Sequence, residues 1–286
     1  MKNVIITGAN SGLGFETAKK IAKEKEYRII LACRNAEKAA AAKERIIAET
    51  GNENVEYMIL DTSLLSSVRA FTNEYLSKYN TVAVLINNAG ISAMRDSGTT
   101  EEGFEIVFAT NYLGHFLLTQ LLLPYFAEKA RIINISSDMH NPPSGIEWKG
   151  AEYLAHEAMA DRSRYSHSKL CLIYLTHKLD EVLKEQGSSV CVNSFNPGFM
   201  VATGFSGGHA DKARALMVKT TMPDRYGELE SSSDALVEAA ISDKYDGVSG
   251  KYFDRSFGIK DSSELSYSKE NAEELWAKTL EFADIH

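Results

Sequence analysis

Short runs rich in apolar and β-branched residues alternate with longer helical patterns, and this alternation limits the possible folds more than any other sequence feature. Strand candidates lie at residues 3–7, 28–32, 55–60, 82–87, 131–136 and 190–195, with a last one near 250–254. Helical patterns occupy residues 13–24, 36–49, 64–78, 102–126 and 164–184. Such βαβ units, joined by right-handed crossovers, place parallel strands between two helical layers. The predicted fold class is α/β: a doubly wound parallel sheet of about seven strands with helices on both faces.

Composition and charge exclude several classes of protein. The net charge of −8 argues against a nucleic-acid partner, which requires an excess of basic residues. Cys33, Cys171 and Cys191 are odd in number and scattered, so neither a disulfide framework nor a metal site is predicted. The N-terminus lacks the pattern of a signal peptide, and the apolar stretch at 116–126 is shorter than the ~20 residues of a membrane span. We therefore expect one cytoplasmic domain, residues 1–286, without a membrane anchor.

A glycine-rich turn follows the first predicted strand. Residues 7–14 read Thr-Gly-Ala-Asn-Ser-Gly-Leu-Gly and open the first predicted helix. Glycines keep such a turn tight and let backbone N–H groups approach a pyrophosphate, while the helix N-terminus adds about half a positive charge. The pattern predicts a Rossmann-type dinucleotide site, although a purely structural turn could have the same sequence. The candidate cofactor-binding residues here are Gly8, Asn10, Ser11, Gly12, Leu13 and Gly14.

The end of the second predicted strand distinguishes NAD from NADP. An acidic residue at this position binds the adenosine ribose of NAD, whereas arginine accommodates the 2′-phosphate of NADP. The residues here are Ala32-Cys33-Arg34-Asn35, without a carboxylate, so Arg34 and Asn35 are predicted to select NADP(H). The alternative is that Arg34 is a solvated residue at the start of the second helix.

Polar residues also follow the third and fourth strands, whose carboxyl ends face the same crevice. The candidate contacts with adenine and the nicotinamide ribose are Asp61, Thr62, Asn87, Ala89 and Gly90. Asp61 could equally cap the following helix, and the Asn-Asn-Ala-Gly sequence at 87–90 could equally form only a turn. The sequence leaves both alternatives open.

One tyrosine–lysine pair is placed for proton transfer. Tyr165 and Lys169 are four residues apart in a predicted helix, which puts a phenol and an ammonium on one helix face. A nearby cation favours phenolate and is expected to lower the pKa of Tyr165 from ~10, so that the phenol can exchange a proton with a carbonyl or alcohol. Two other pairs share this spacing, but Tyr125 precedes the fifth strand and Tyr174 lies on the opposite side of the helix.

Two more side chains complete the predicted catalytic set. Ser137 follows the fifth strand and is expected to donate to the substrate oxygen, unless it is only a turn hydroxyl. Asn111 lies inside a long helical run, where asparagine is mildly unfavourable, so a specific partner is expected; the alternative is a solvent-facing side chain. The predicted catalytic residues are therefore Asn111, Ser137, Tyr165 and Lys169.

The order of these motifs resembles that of the short-chain dehydrogenases/reductases. The resemblance runs from residue 3 to residue 204 and rests on residues 7–14, 87–90, 111, 137, 165–169 and 196–198. It implies that Tyr165 is the general acid/base and that Ser137 orients the carbonyl. It further implies that Lys169 holds the nicotinamide ribose and lowers the pKa of Tyr165, and that Asn111 supports a proton relay.

A narrower likeness concerns one branch of that family. Residues 8–18, 32–35, 67–71 and 111–118 resemble the branch that contains retinol dehydrogenases and light-dependent protochlorophyllide reductases. Residues 138–164 form a long span between the predicted serine and tyrosine, as in that branch, and either line an apolar substrate pocket or cover the core. The resemblance also implies cofactor contacts by Tyr165, Lys169, Pro197, Gly198 and Thr203. It does not extend to a retinoid or pigment substrate, because no membrane anchor or pigment-reductase insertion is evident.

These features predict an oxidoreductase that transfers a hydride between NADP(H) and a small-molecule carbonyl or alcohol, acting as an NADPH-dependent carbonyl reductase. The alternative is a catalytically silent NADP-binding sensor or interaction module. Residues 199–230 are interpreted as a substrate lid or as an ordinary connection. The resemblance implies a homodimer or homotetramer formed through the helices that carry Asn111 and Tyr165.

Overall fold

A computed structural model describes residues 1–92, 98–200, 212–256 and 258–285, with residues 212–215 described as backbone only. The strands in this part of the chain are β1 (Lys2–Thr7), β2 (Tyr27–Cys33), β3 (Val55–Ile59), β4 (Val82–Asn87), β5 (Phe126–Ile135), β6 (Cys191–Asn196), β7 (Tyr252–Asp254) and β8 (Gly258–Lys260). They form one sheet in the order β3-β2-β1-β4-β5-β6-β7-β8, parallel throughout except for the antiparallel pair β7 and β8. The predicted doubly wound parallel sheet is confirmed, with an additional short edge strand, β8.

Helices cover both faces of this sheet. The α-helices of the described residues are α1 (Gly12–Ala22), α2 (Ala36–Thr50), α3 (Leu65–Lys78), α4 (Ile106–Phe108), α5 (Gly114–Leu122), α6 (Ala151–His156), α7 (Arg164–Glu185), α8 (Lys212–Thr221), α9 (Leu229–Ile241) and α10 (Lys269–Phe282). Side chains of α1, α2 and α9 build one hydrophobic core, whereas those of α3, α5 and α7 build the other. Within β1, Ile5 contributes to the second core and its neighbours Val4 and Ile6 to the first, because successive strand side chains alternate between faces.

The helix predicted over residues 102–126 is interrupted. Between α4 and α5 lies a π-helical turn, Ala109–Leu113, which contains Asn111. Single π-helical turns within α-helices are rare overall, but where they occur they are often at functional sites. Such a turn changes the direction in which its side chains point. The combined segment, Ile106–Tyr125, is long and apolar enough to span a membrane by composition alone. However, 78% of its most apolar window is buried inside the fold, where it forms the core between α3 and α7.

The last helix, α10, covers the helical layer formed by α5 and α7. Its Trp276 ring packs against Phe116 with ring centroids 5.2 Å apart, and its Thr279 hydroxyl lies 3.0 Å from the Tyr112 hydroxyl. Asn271 donates to the hydroxyl of Tyr174 on α7. The helices through which the predicted dimer or tetramer would assemble therefore already contact a helix of their own chain.

Candidate active site

The glycine-rich turn between β1 and α1 is packed against the turn that follows β4. Gly8 and Gly12 have φ angles of 65° and 57°, in the left-handed region that favours glycine. A Cβ atom on Gly14 would lie 2.6 Å from Asn88 Nδ2 and 2.9 Å from the Gly8 carbonyl oxygen. The glycine spacing noted in the sequence thus has a steric reason at each of its three positions.

The N-terminus of α1 fits an anionic group. Ser11 stands at the N-cap position without a capping hydrogen bond from its side chain to a described residue, and the first turn of α1 contains no acidic residue. In the described part of the chain no side chain accepts from the first N–H groups of α1, so they are available to a ligand. Of the predicted residues, Asn10 precedes this helix and is half-buried, and Leu13, in its first turn, is buried. A dinucleotide pyrophosphate is the group that such a glycine turn and helix N-terminus would hold.

Two predicted cofactor residues near the ends of β2 and β3, Asn35 and Asp61, accept hydrogen bonds from the protein itself. The side-chain oxygen of Asn35 accepts from Lys38 N at 2.8 Å and so caps α2. Asp61 Oδ1 accepts from both the backbone N and the hydroxyl of Ser63. Arg34, in contrast, has a side chain 72% exposed, with Nη1 3.8 Å from Asp61 Oδ2. Of the three residues, Arg34 is the one with charge free to face a ligand.

The predicted residues that follow β4 divide between the core and the crevice. Asn87 is 1% exposed and donates to Asn134 Oδ1 at 2.8 Å and Thr119 Oγ1 at 3.1 Å, so its side chain belongs to the core. The backbone N–H of Ala89 donates to Thr7 Oγ1 at 2.8 Å, which ties this turn to the end of β1. Thr62 is buried, and its carbonyl oxygen lies against Gly114, the first residue of α5.

Ser137, Tyr165 and Lys169 meet at the carboxyl ends of the strands. Ser137 follows β5 and its side chain hydrogen bonds to that of Tyr165, in the first turn of α7. Lys169 Nζ lies 5.6 Å from the centre of the Tyr165 ring and donates to the Ile135 carbonyl oxygen at 2.8 Å. Ser137 follows a strand, whereas Tyr165 and Lys169 lie on a helix that begins 27 residues later in the chain. The three side chains nevertheless form one cluster of proton-donating groups.

The titration of this cluster differs from the expectation. Burial raises the pKa of Tyr165 to about 12, against a smaller lowering by the Ser137 hydrogen bond. Burial also lowers the pKa of Lys169 to about 7, so that near neutral pH its ammonium is only partly charged. The causes of the Tyr165 pKa shift are burial and the Ser137 hydrogen bond, and Lys169 is not among them, so a lowering of this pKa by Lys169 stays a prediction. Near neutral pH the phenol keeps its proton.

Asn111 joins the turn after β4 to α7. Its Oδ1 accepts from Ile91 N at 2.8 Å, and its Nδ2 donates to the Ile91 carbonyl oxygen and to Ser168 Oγ. Ser168 Oγ in turn donates to the backbone carbonyl of Tyr165 at 2.7 Å. A Cβ atom on Gly90 would lie 3.2 Å from Asn111 Oδ1 and 3.7 Å from Lys169 Nζ. The specific partners expected of Asn111 exist, and it is fully buried rather than solvent-facing.

Buried polar contacts fix the two elements that carry the cluster. Glu105 Oε1 lies 3.3 Å from Arg164 Nε, with both side chains buried, at the start of α7. Asn196, at the end of β6, donates to Asp138 Oδ1 at 2.6 Å and accepts from the Asp138 backbone N, which restrains the residue after Ser137. The positions of Tyr165 and Ser137 thus depend on contacts from distant parts of the chain.

The remaining predicted residues lie beyond β6 or between Ser137 and Tyr165. Gly198 has a φ of 72°, and the Pro197 carbonyl oxygen accepts from Ser232 Oγ at 2.8 Å. Thr203 lies outside the described residues. Within the 138–164 span, Trp148, Tyr153 and Leu154 pack against the core. This agrees with the alternative in which the span covers the core. Met139 and Met159 remain 37% and 41% exposed.

Four residues of this region were not among the predicted site residues: Thr7, Asn88, His115 and Ser168. All four are polar side chains that bridge elements distant in the chain, and three of them are buried. The one sequence signal for His115 was a histidine inside an otherwise apolar helix, which indicates a buried partner.

The doubly wound sheet, the glycine turn against an uncapped helix N-terminus, and the Ser–Tyr–Lys cluster beside it define an oxidoreductase of the Rossmann class that uses a nicotinamide dinucleotide. Residues 2–147 match the family model described as short chain dehydrogenase. This chain belongs to the short-chain dehydrogenase/reductase family.

Full-length relatives agree with this membership. The chain is 37% identical over 296 residues to human retinol dehydrogenase 13, covering 99% of this chain and 85% of that protein. It is 31% identical to human polyprenol dehydrogenase, covering 98% and 84%. Its fold is similar to the crystal structure of an uncharacterised protein from Mycobacterium paratuberculosis, with a TM-score of 0.77, 28% identity, and coverage of 100% of this chain and 94% of that one. The resemblance to the retinol dehydrogenase branch is thereby confirmed.

Proposed function

We propose that this protein is an NADP(H)-dependent oxidoreductase that interconverts a carbonyl compound and an alcohol, acting as a carbonyl reductase. The observation that carries the proposal is the meeting of Ser137, Tyr165 and Lys169, with Asn111 one hydrogen-bonded residue away. A sensor or interaction module that only binds NADP, which is the alternative, has no need of this proton-donating cluster.

The roles of the residues follow from their positions. When bound, a nicotinamide dinucleotide supplies the hydride for the carbonyl carbon. The Ser137 hydroxyl donates to the carbonyl oxygen and orients it, and the Tyr165 phenol gives its proton to that oxygen. Lys169 and the turn at Gly90 lie where they could hold the nicotinamide ribose, while the glycine turn and the N-terminus of α1 hold the pyrophosphate. Asn111 holds α7 in a fixed position relative to the turn after β4.

The pKa of Tyr165 supports the reductive direction. Because burial holds this pKa at about 12, the phenol is protonated at neutral pH, which is the form that donates to a carbonyl oxygen. Between about pH 8 and about pH 10, above the pKa of Lys169 and below that of Tyr165, we expect kcat for carbonyl reduction to change little, whereas alcohol oxidation, which needs phenolate, rises roughly tenfold per pH unit. A panel of aldehydes and ketones, followed by NADPH absorbance, provides the substrates, and the corresponding alcohols with NADP⁺ provide the reverse reaction.

Two results of that experiment would contradict the proposal. If no carbonyl compound is reduced, the NADP-binding sensor becomes the better explanation. If oxidation does not accelerate with rising pH, the phenol is not the group that exchanges the proton.

The NADP preference rests on Arg34. Its exposed guanidinium directly follows β2, and residues 32–35 contain no acidic side chain to bind an adenosine ribose. The Asp61 carboxylate from the end of β3 approaches Arg34 only to 3.8 Å, too weak a contact to withhold the guanidinium from a ligand. We expect Arg34→Ala to weaken NADPH binding about tenfold and NADH binding little, because only NADPH offers the 2′-phosphate. The dissociation constants of both dinucleotides, measured by fluorescence titration, test this prediction.

A second exposed arginine on the adjacent helix provides the control. Arg45, in α2, pairs with Glu49, and Arg45→Ala is expected to leave the NADPH/NADH ratio unchanged. Equal weakening of both dinucleotides by Arg34→Ala, or an unmodified protein with no preference for NADPH, would remove the assignment.

The substrate is proposed to be a carbonyl compound or alcohol of low polarity. The names of the two relatives refer to retinol and polyprenol, both alcohols, which supports an alcohol as the reduced product. Met139, two residues from Ser137, exposes 37% of its surface and could contact an apolar substrate.

The segment at 199–230 is proposed to act as a substrate lid within a single domain. Where this segment is described, its two ends are joined: Phe199 N donates to the Arg225 carbonyl at 2.7 Å, and Gly227 N to the Phe199 carbonyl at 3.2 Å. Arg255 donates to the Tyr226 carbonyl at 2.7 Å. These contacts support a lid with a fixed base. A cytoplasmic location and a dimer or tetramer remain predictions from the sequence.

A further inference from the structure

A fully buried imidazole, His115, lies between the turns that would bind the dinucleotide and the turn that carries Asn111. Its Nε2 is 2.9 Å from Thr7 Oγ1, at the end of β1. Its Nδ1 is 3.0 Å from the backbone carbonyl of Asn111, in the π-helical turn. One side chain therefore contacts both halves of the site.

The partners of His115 fix the direction of each hydrogen bond. The Asn111 carbonyl only accepts, so Nδ1 carries the proton and donates to it. Thr7 Oγ1 already accepts from the backbone N of Asn88 and of Ala89, both at 2.8 Å, so its own proton has two acceptors within reach. His115 Nε2 at 2.9 Å is the nearer one, and the Ile86 carbonyl oxygen lies at 3.5 Å, so the proton is directed to Nε2. Burial lowers the pKa of His115 to about 4, in agreement with a neutral ring that has one donor and one acceptor.

The Nε2 side of the ring supports the turns predicted to hold the dinucleotide. Thr7 holds the turn after β4 through Asn88 and Ala89, and the Asn88 side chain returns a hydrogen bond to the Thr7 carbonyl at 2.7 Å. Asn88 Nδ2 is also the atom against which Gly14 packs. A change in the orientation of the Thr7 hydroxyl would therefore reach both turns.

The Nδ1 side supports the catalytic cluster. The carbonyl that it binds belongs to Asn111, whose side chain contacts Ser168 and thereby the backbone of Tyr165. Lys169 is close enough to His115 for its charge to help lower the pKa of the imidazole. The proton on Nδ1 thus restrains the same turn that orients α7.

We propose that His115 is a positioning residue with two separable functions: Nε2 orders the dinucleotide-binding turns through Thr7, and Nδ1 orders the catalytic turn through the Asn111 carbonyl. The inference rests on the proposed function, in which these two turns bind NADP(H) and support proton transfer. An apolar side chain of similar size would fill the space but leave the Thr7 hydroxyl and one donor contact to Asn111 unmatched.

Two amide substitutions separate the functions, because asparagine places its amide near the position of Nδ1 and glutamine near that of Nε2. We expect His115→Asn to raise the dissociation constant of NADPH about tenfold, with a smaller effect on kcat. We expect His115→Gln to lower kcat about tenfold, with a smaller effect on the NADPH dissociation constant. Fluorescence titration with NADPH and steady-state kinetics on a carbonyl substrate give the two quantities, and thermal unfolding gives the stability of each variant.

The inference depends on whether the two variants differ in the ratio of their effects on the NADPH dissociation constant and on kcat. If both variants change binding and kcat by the same factors, or lower only the melting temperature, His115 is a structural core residue. Thr7→Val tests the Nε2 function from the other partner if either histidine variant does not fold, and an unchanged NADPH affinity in Thr7→Val would contradict it. Absence of carbonyl turnover in the unmodified protein would instead contradict the proposed function, and the NADPH affinities of the variants would still test the Nε2 function.

Discussion

Tyr165→Phe is expected to lower kcat for carbonyl reduction by about 10²- to 10⁴-fold while leaving the affinity for NADPH nearly unchanged. The substitution removes one hydroxyl, the atom that hydrogen bonds to Ser137 and that carries the transferable proton. The aromatic ring, which packs beside Lys169, is kept. Steady-state kinetics and fluorescence titration with NADPH measure the two quantities on the same preparation.

The same helix offers a matched control. Tyr174 also precedes a lysine by four residues, but its hydroxyl donates to the Leu265 carbonyl at 2.8 Å, away from the cluster. Tyr174→Phe should cost about 1 kcal/mol of unfolding free energy and leave kcat unaffected. If the two variants retain similar turnover, Tyr165 is not the acid, and the proton must come from another group.

Gly114→Ala is expected to destabilise the protein by ~3 kcal/mol or more. Its Cβ atom would overlap the Thr62 carbonyl oxygen, and because the contacted atom is backbone, α5 or the turn after β3 must move. Alanine is favoured over glycine in a helix by about 1 kcal/mol, so helix propensity alone predicts the opposite sign. Thermal unfolding should show a decrease in melting temperature of roughly 5–10 °C.

A glycine in open space is the control for this substitution. Gly258, in β8, has no described atom within 4 Å of a built Cβ, and Gly258→Ala should change the melting temperature little. Because Gly114 directly follows the π-helical turn, Gly114→Ala should also lower kcat through displacement of Asn111. An unchanged melting temperature would show that α5 can shift away from Thr62 without cost.

The part of the candidate site that depends on residue type and on the order of motifs along the chain could be predicted from the sequence. Ser137, Tyr165 and Lys169 lie together as expected, because the carboxyl ends of parallel strands and the start of the next helix share one edge of the sheet. Gly8 and Gly12 were equally predictable, because a tight turn needs positive φ angles that other residues rarely adopt. This requirement is local to the turn and does not depend on distant residues.

Other predictions depended on neighbours that the sequence does not specify. Asn35 was predicted as a ligand contact, and Asp61 as a ligand contact or a cap. In the structure Asn35 caps α2 and Asp61 accepts from Ser63, and their contacts with a cofactor stay predictions. Asn87 stands at a strand end, where its side chain could face the crevice, but the alternation of strand side chains turns it into the core toward Asn134. The bridge from Thr7 to His115 joins positions 108 residues apart, and no local motif marks it.

The sequence by itself determined the alternation of strands and helices, the identity of the proton-donating residues, and the glycine turn, because these depend on local periodicity and on what each side chain can do. Only the tertiary structure decided the protonation of the site. The pKa of Tyr165 lies at about 12 and that of Lys169 at about 7, because burial by distant elements disfavours the charged form of each. Desolvation is a property of the packed fold, so no pattern along the chain could have revealed it.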